Sequence, residues 1–212
     1  MNLEKKFYEL WKTACPEKSF VQNYVDLAAR YSESHRHYHT LSHIAHALKE
    51  FEEVKPFANH PFEVALAIYY HDAVYETQKG NENEKESALL AKRIIQHAEL
   101  SNDVEMRVCN LILATTHKTL PQTMDEKILV DVDLSILGRP ENEFKKYEEN
   151  IRKEYSFVPE KMYKSVRVDV LTRFLNRKRI YSTDYFHDKY EQSARKNLEN
   201  SILALGGICN EK

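Results

Sequence analysis

Apolar side chains return at helical spacing along almost the whole chain, and little in it interrupts a helix. Phe20, Tyr24, Leu27 and Ala28 form one such stripe. Ala88, Ala91, Ile94 and Ile95 form a second, and Val104, Val108, Leu111 and Ile112 a third. Further stripes lie at Phe144, Tyr147, Ile151 and Tyr155, at Val166, Val170 and Phe174, and at Tyr190, Ala194, Leu198 and Ile202. Only four glycines and six prolines are spread over 212 residues, too few for the turns of a strand-rich architecture. The fold class this predicts is all-α, a single-domain helical bundle, and the length suits one well-filled core.

The punctuation predicts where the helices fall. An opening pair covers residues 3–13 and 18–31, separated by Pro16, and a polar, histidine-rich connector runs from Ser32 to His39. Thr40 or Ser42 caps the next helix, which runs to about Val54. Pro61 suits a first turn, and Phe62 to Tyr70 is apolar on nearly every side except Glu63, which places this helix in the middle of the bundle. Lys79-Gly80-Asn81 closes that region, residues 83–98 resume as helix, and Ser101 caps another. After Pro121 a short helix spans Ile128 to Leu137 and stops at Gly138; three longer helices follow. No repeat or linker divides the chain, so one domain over 1–212 is expected, with a core at about 30–140 and C-terminal helices at about 141–205. The aromatics of that last part, Tyr155, Tyr163, Phe174, Tyr181, Tyr185, Phe186 and Tyr190, are expected to pack between helices.

Charge narrows the partners. The net charge is −2, acidic and basic residues are interleaved, and there is no large basic block, so nucleic acid is not an expected partner. The opening Met1-Asn2-Leu3-Glu4-Lys5-Lys6 lacks the apolar stretch of a secretory signal, and no run approaches the roughly 18 apolar residues of a membrane span. Cys15, Cys109 and Cys209 are widely spaced without a CxxC pair, as expected of free thiols in a reducing compartment. A cytoplasmic location without membrane partners is the expectation; oligomeric state is not legible.

Chemistry concentrates in three fragments. His39-Thr40-Leu41-Ser42-His43 lies in a segment holding five of the ten histidines, between His35 and His46. His39 and His43 are four apart, and His43 and His46 three apart, a spacing that on a helix lets residues share a face; only part of the segment need be helical, with His39 at the cap as the alternative. His35 and His37 precede the helix and read as solvated, and His46 as a surface or supporting residue. His71-Asp72 ends the most apolar helix, where a carboxylate costs several kcal/mol unless it is paired or bound to a cation. Asp131 and Asp133 interrupt a third apolar run. Two residues apart, they point to different faces, so one of them reaches any common point. Each fragment alone has an ordinary structural reading: a surface histidine, or a buried aspartate held by helix amides or an arginine.

Taken together, histidine, His-Asp and a late Asp on helices of one bundle resemble the HD superfamily of metal-dependent phosphohydrolases. The closer resemblance is to a bacterial family of predicted HD phosphohydrolases of about this length. It is carried by Arg36-His37-Tyr38-His39-Thr40-Leu41-Ser42-His43-Ile44, Tyr70-His71-Asp72-Ala73-Val74-Tyr75, Asn83-Glu84 with Ser87-Ala88, and Asp131-Val132-Asp133-Leu134 through Leu137-Gly138. Tyr155, Arg167 and Ala194-Arg195-Lys196-Asn197-Leu198 extend it over most of residues 30–200. The resemblance implies an HD-type bundle in which His43, His71, Asp72 and one late aspartate bind a metal. Asp133 is preferred, because Asp-Leu-Ser after a small apolar residue is similar to the last-ligand segment of several HD enzymes; Asp131 is the alternative. His39 resembles the histidine that precedes the first ligand by four in cyclic-nucleotide phosphodiesterases and protonates the leaving oxygen. This chain departs from them in having Thr40 where they commonly have Asn.

Four more residues are candidates. Glu84, behind a glycine-containing loop, either holds a metal-bound water or is an ordinary first-turn carboxylate. His117, after Ala114-Thr115-Thr116, is a second-metal ligand, a phosphate donor or a loop histidine. Arg36 and Lys118 either offset substrate phosphate charge or lie solvated at the surface. Two imidazoles and two carboxylates suit a divalent ion such as Mn, Fe, Co, Ni or Zn, with Mg also open, better than Ca. The expected activity is hydrolysis of a phosphate ester or anhydride of a small phosphorylated substrate, with nucleotides a candidate class, by a metal-activated water. Two rivals remain at this level: a non-catalytic nucleotide sensor, and a di-iron oxygenase on the same scaffold, for which His97 and His117 are the available extra ligands.

Overall fold

The computed structural model describes residues 1–77 and 82–208. Among them the chain forms ten α-helices and two short 3-10 helices and no strand, so the all-α expectation holds. The break expected at Lys79-Gly80-Asn81 and the third cysteine, Cys209, lie outside the described residues. No helix among the described residues is long and apolar enough to cross a membrane. Cys15 and Cys109 are free and half-buried, and burial pushes the Cys109 thiol up. The chain divides into two compact units, Met1–Asp133 and Leu134–Lys212.

The first unit holds α1 (Leu3–Ala14), α2 (Val21–Arg30), α3 (Leu41–Val54), α4 (Pro61–Tyr70), α5 (Asn83–His97), α6 (Asn102–Ala114) and α7 (Met124–Asp133). Every residue of α4 from Glu63 to Tyr70 is buried, as its all-round apolar pattern requires. The single acid in that run, Glu63, is matched by a two-pronged bond from Arg107 on α6, at 2.7 Å for both oxygens. On another side Phe7 of α1 meets Tyr69 edge-on at 5.0 Å, and the Tyr69 hydroxyl donates to Leu3 O. Trp11 stacks on Phe20 at 4.0 Å to close that end.

The start of α4 lacks a side-chain cap of its own, and α7 supplies one. The Asp125 carboxylate accepts from Asn59 N at 2.7 Å and His60 N at 3.1 Å, and pairs with His60 Nδ1 at 2.9 Å. A carboxylate at a helix N-terminus is favoured by the exposed amides and the helix dipole. With their N-termini pinned together, α4 and α7 run the same way, and their C-termini arrive at one place. That place is the candidate site.

Helix α7 begins earlier than expected, at Met124, and gives way to a 3-10 turn over Leu134–Gly138. The cause is a capping box: Glu126 N donates to Thr123 Oγ1, and Glu126 Oε2 accepts from Thr123 N.

The second unit comprises that 3-10 turn, α8 (Glu141–Glu154), α9 (Glu160–Leu175) and α10 (Asp184–Ala204). Tyr190, Ala194, Leu198 and Ile202 of α10 are all buried, as their spacing predicts. Gly138 admits no side chain, since an added Cβ would sit 2.4 Å from Tyr190 Cβ. In α9 the helix is as expected but the buried face is not: Val166 is 53% exposed, whereas Tyr163 and Leu171 are buried. Arg167 lies between them and pairs with Glu148 and the Tyr147 hydroxyl of α8.

Candidate metal centre

The site is assembled from helix ends. Thr40 caps α3, its Oγ1 accepting from Ser42 N, and so sets His43 in the first turn of that helix. His39 precedes the cap and is not helical, so its spacing of four from His43 does not put the two rings on one helix face. His71 and Asp72 follow the last turn of α4, and Asp133 is the final residue of α7. All of these belong to the Met1–Asp133 unit.

Their ligand atoms converge. The Nε2 atoms of His43 and His71 are 3.0 Å apart. Asp72 Oδ2 lies 3.0 Å from His71 Nε2 and 3.6 Å from His43 Nε2, and Asp133 Oδ1 lies 3.6 Å and 3.4 Å from the same two atoms. Two ligands about 2.1 Å from a common ion stand about 3.0 Å apart at a right angle and about 3.4 Å apart at a tetrahedral angle. His43, His71 and Asp133 form a group able to hold a metal ion, with ligand atoms all within 4.8 Å of one another. Asp72 adds a fourth donor beside both imidazoles.

Protonation is consistent with a cation seat. His71 Nδ1 lies 2.9 Å from Ile68 O, a pure acceptor, so this nitrogen bears a proton and Nε2 is left facing the cluster. Burial works against the charged imidazole of His71, yet the Asp72 and Asp133 carboxylates outweigh it and hold the pKa well above the ordinary histidine value. For both aspartates burial favours the neutral acid and is overcome. Chiefly His71, with His39 and His43, keeps Asp72 well below the usual carboxylate range; hydrogen bonds from His117, His43 and His71 do the same for Asp133. The C-termini of α4 and α7 add partial negative charge at the same point. The donor set fits a borderline divalent ion, with ionised carboxylates beside two imidazole Nε2 atoms and the His71 proton the one an ion would displace.

Of the two late aspartates, Asp133 is the one at the cluster; Asp131 is fully buried in α7. His39 stands at the rim, its Nε2 4.0 Å from Asp72 Oδ2 and its ring stacked on Tyr75 at 4.1 Å. His117 Nε2 is 3.0 Å from Asp133 Oδ2. Glu84 sits in the first turn of α5 and Lys118 is exposed beyond His117. Among the described residues, neither comes within hydrogen-bond or ion-pair range of the four cluster side chains. His97 is exposed at the end of α5, edge-on to Phe20 at 6.1 Å, which leaves the di-iron ligand set without one of its two candidates.

Arg36 corrects the reading of it as a phosphate contact or a solvated surface residue. Its side chain is wholly buried. Nε donates to Glu33 Oε2 at 2.9 Å, Nη1 to Asp72 O at 2.6 Å and His39 O at 3.3 Å, and Nη2 to Ala73 O at 3.1 Å. The rings of Tyr31 and Tyr75 flank it. A guanidinium so occupied has no access to substrate; it ties the connector before α3 to the His-Asp turn.

The resemblance included Asn83 and Ser87, but sequence reasoning gave them no role, and they are the supports of that turn. Asn83 bonds both backbone groups of Glu76, and Ser87, one helical turn on, bonds both of Val74. The signal was two small polar residues four apart on the otherwise apolar inner face of α5. Tyr38, 4.9 Å from the His43 ring and 5.0 Å from the His39 ring, fills the space between the histidines.

No family model, curated protein or solved structure matches the chain.

Proposed function

We propose that this chain is a metal-dependent phosphohydrolase that cleaves a phosphate ester or anhydride of a small phosphorylated molecule, with nucleotides the first class to test. One observation carries the reading: the Nε2 atoms of His43 and His71 and Oδ1 of Asp133 lie 3.0–3.6 Å from one another, and Asp72 Oδ2 lies 3.6 Å and 3.0 Å from the same two nitrogens. When bound there by His43, His71, Asp72 and Asp133, a divalent ion supplies Lewis acidity and a water acidic enough to attack near neutral pH. The two carboxylates, both held ionised by the neighbouring histidines, would keep the seat anionic for the ion. His39, partly open to solvent at the rim and stacked on Tyr75, is the residue we assign as general acid, which in its protonated form would protonate the departing oxygen as the P–O bond breaks.

The test is phosphate release from a nucleotide panel by the purified chain with Mn, Co, Ni or Mg, beside His71→Ala and Asp72→Ala. Supporting groups around metal ligands cost about 10–100-fold when removed, so losing a ligand is expected to cost at least about 100-fold in activity. Metal content should collapse in both variants while far-UV circular dichroism is retained. Tight nucleotide binding without turnover under every metal would instead identify a sensor.

A further inference from the structure

His117 occupies an awkward backbone position and makes a well-placed bond. Its φ is +54°, a left-handed conformation that glycine or asparagine adopts more readily than histidine. The position itself is explained by helix termination: His117 N donates to Ala114 O just past the end of α6. Two other helix ends show the same turn. Glu99 after α5 has φ +58° and turns its side chain to solvent, where it pairs with Lys18, and Gly206 after α10 has φ +86°. The left-handed residue thus ends the helix whatever its side chain is. Only at residue 117 does that side chain reach inward, to Asp133 Oδ2 at 3.0 Å.

Asp133 needs such a partner. It is the last residue of α7; His43 and His71 approach its Oδ1 at 3.4 Å and 3.6 Å, and His117 is the residue that meets Oδ2. An ionised carboxylate only accepts hydrogen bonds, so the Nε2 of His117 bears the proton of this contact. We propose that His117 is a positioning residue: its Nε2–H fixes Oδ2 of Asp133, so that Oδ1 is the oxygen presented to His43 and His71. The inference rests on the metal reading of the cluster and adds to it the group that selects which carboxylate oxygen faces the ion. The cost is a side chain at a backbone position better suited to glycine, a trade expected at a functional site.

The experiment titrates Mn2+ into the full-length chain and its variants His117→Gly, His117→Gln and Glu99→Gly by calorimetry, and records the visible spectrum of each Co2+ form. Glycine relieves the backbone and removes the bond; glutamine keeps the backbone penalty and returns an N–H at similar reach. His117→Gly is expected to weaken Mn2+ binding about 10–100-fold and to change the Co2+ band envelope, whereas His117→Gln stays within about threefold of the parent. Glu99→Gly relieves the same backbone strain and should leave both readouts unchanged. Parent-like Mn2+ affinity and Co2+ spectrum in His117→Gly would overturn the positioning role while leaving the metal reading intact. Two ions per chain, with the second lost in His117→Gln, would also overturn it, because Nε2 would then be a ligand. A parent chain that binds neither Mn2+ nor Co2+ would overturn both readings together.

Discussion

His71 sets how the cluster responds to pH. Its Nδ1 is committed to Ile68 O, so Nε2 alone can exchange a proton for a metal. Burial disfavours its charged form, but Asp72 and Asp133 raise its pKa well above 6.5 in the metal-free protein. A raised folded-state value means that the stability contributed by this imidazolium is fully present below the unfolded histidine value of about 6.5 and is lost as pH rises through the folded value. The depressed values of Asp72 and Asp133 act in the other direction. Their contribution is present above the unfolded value of about 3.9 and is lost as pH falls through the folded values. Between these limits one proton sits where the ion would sit, and metal must displace it. Affinity for Mn2+ is therefore expected to climb about tenfold per pH unit above about 6.5, with about one proton released per ion, until His71 has lost its proton. Calorimetry in buffers of different ionisation enthalpy reads both quantities, and an affinity that is flat above that pH would remove His71 from the ligand set. At this scale the residue types were legible; the preference for Asp133 over Asp131 came from the resemblance and not from the spacing, because that choice turns on where α7 ends.

Among the elements, helix ends rather than helix faces build this site. The C-termini of α4 and α7 and the first turn of α3 deliver the four cluster side chains, and the segment just past α6 delivers His117. Helical periodicity finds faces, so it located most helices and their cores but could not say which ends meet. The meeting of α4 with α7 depends on Asp125 capping the start of α4, a contact between residues 65 and 66 apart in sequence. Periodicity also misassigned the buried face of α9, where Arg167 is accommodated by Glu148 and Tyr147. The connector before α3 is held by Arg36, whose donors reach the carbonyls of His39, Asp72 and Ala73. Arg36→Ala leaves those carbonyls without their donor and is expected to cost about 2–4 kcal/mol of stability. Arg36→Lys restores the charge but not the fork, so it should recover only part of the loss. Urea unfolding of the metal-free variants measures this, and an alanine variant as stable as the parent would show that the clamp contributes nothing.

For the molecule as a whole, the four proposed ligands belong to segments that the unfolded chain holds far apart, from residue 43 to residue 133, so an ion site formed by them would exist only in the folded state. A ligand that binds the folded state alone adds RT ln(1 + [L]/Kd) to stability, about 2.7 kcal/mol at one hundred times Kd. For a chain of this size that corresponds to a rise in Tm of roughly 5–10 °C. The same linkage predicts the cost of removal: EDTA should return the Tm to the metal-free value. The variants separate this effect from nonspecific salt binding. His71→Ala and Asp72→Ala each remove a ligand, so their Tm should be nearly insensitive to Mn2+ and to EDTA. Glu99→Gly, remote from the cluster, should show the full parental shift. Differential scanning calorimetry with and without Mn2+ checks all of these. Equal Mn2+-induced shifts in the parent and in both ligand variants would mean that the ion binds elsewhere, and the clustering of His43, His71, Asp72 and Asp133 would then reduce to an internal ion-pair network.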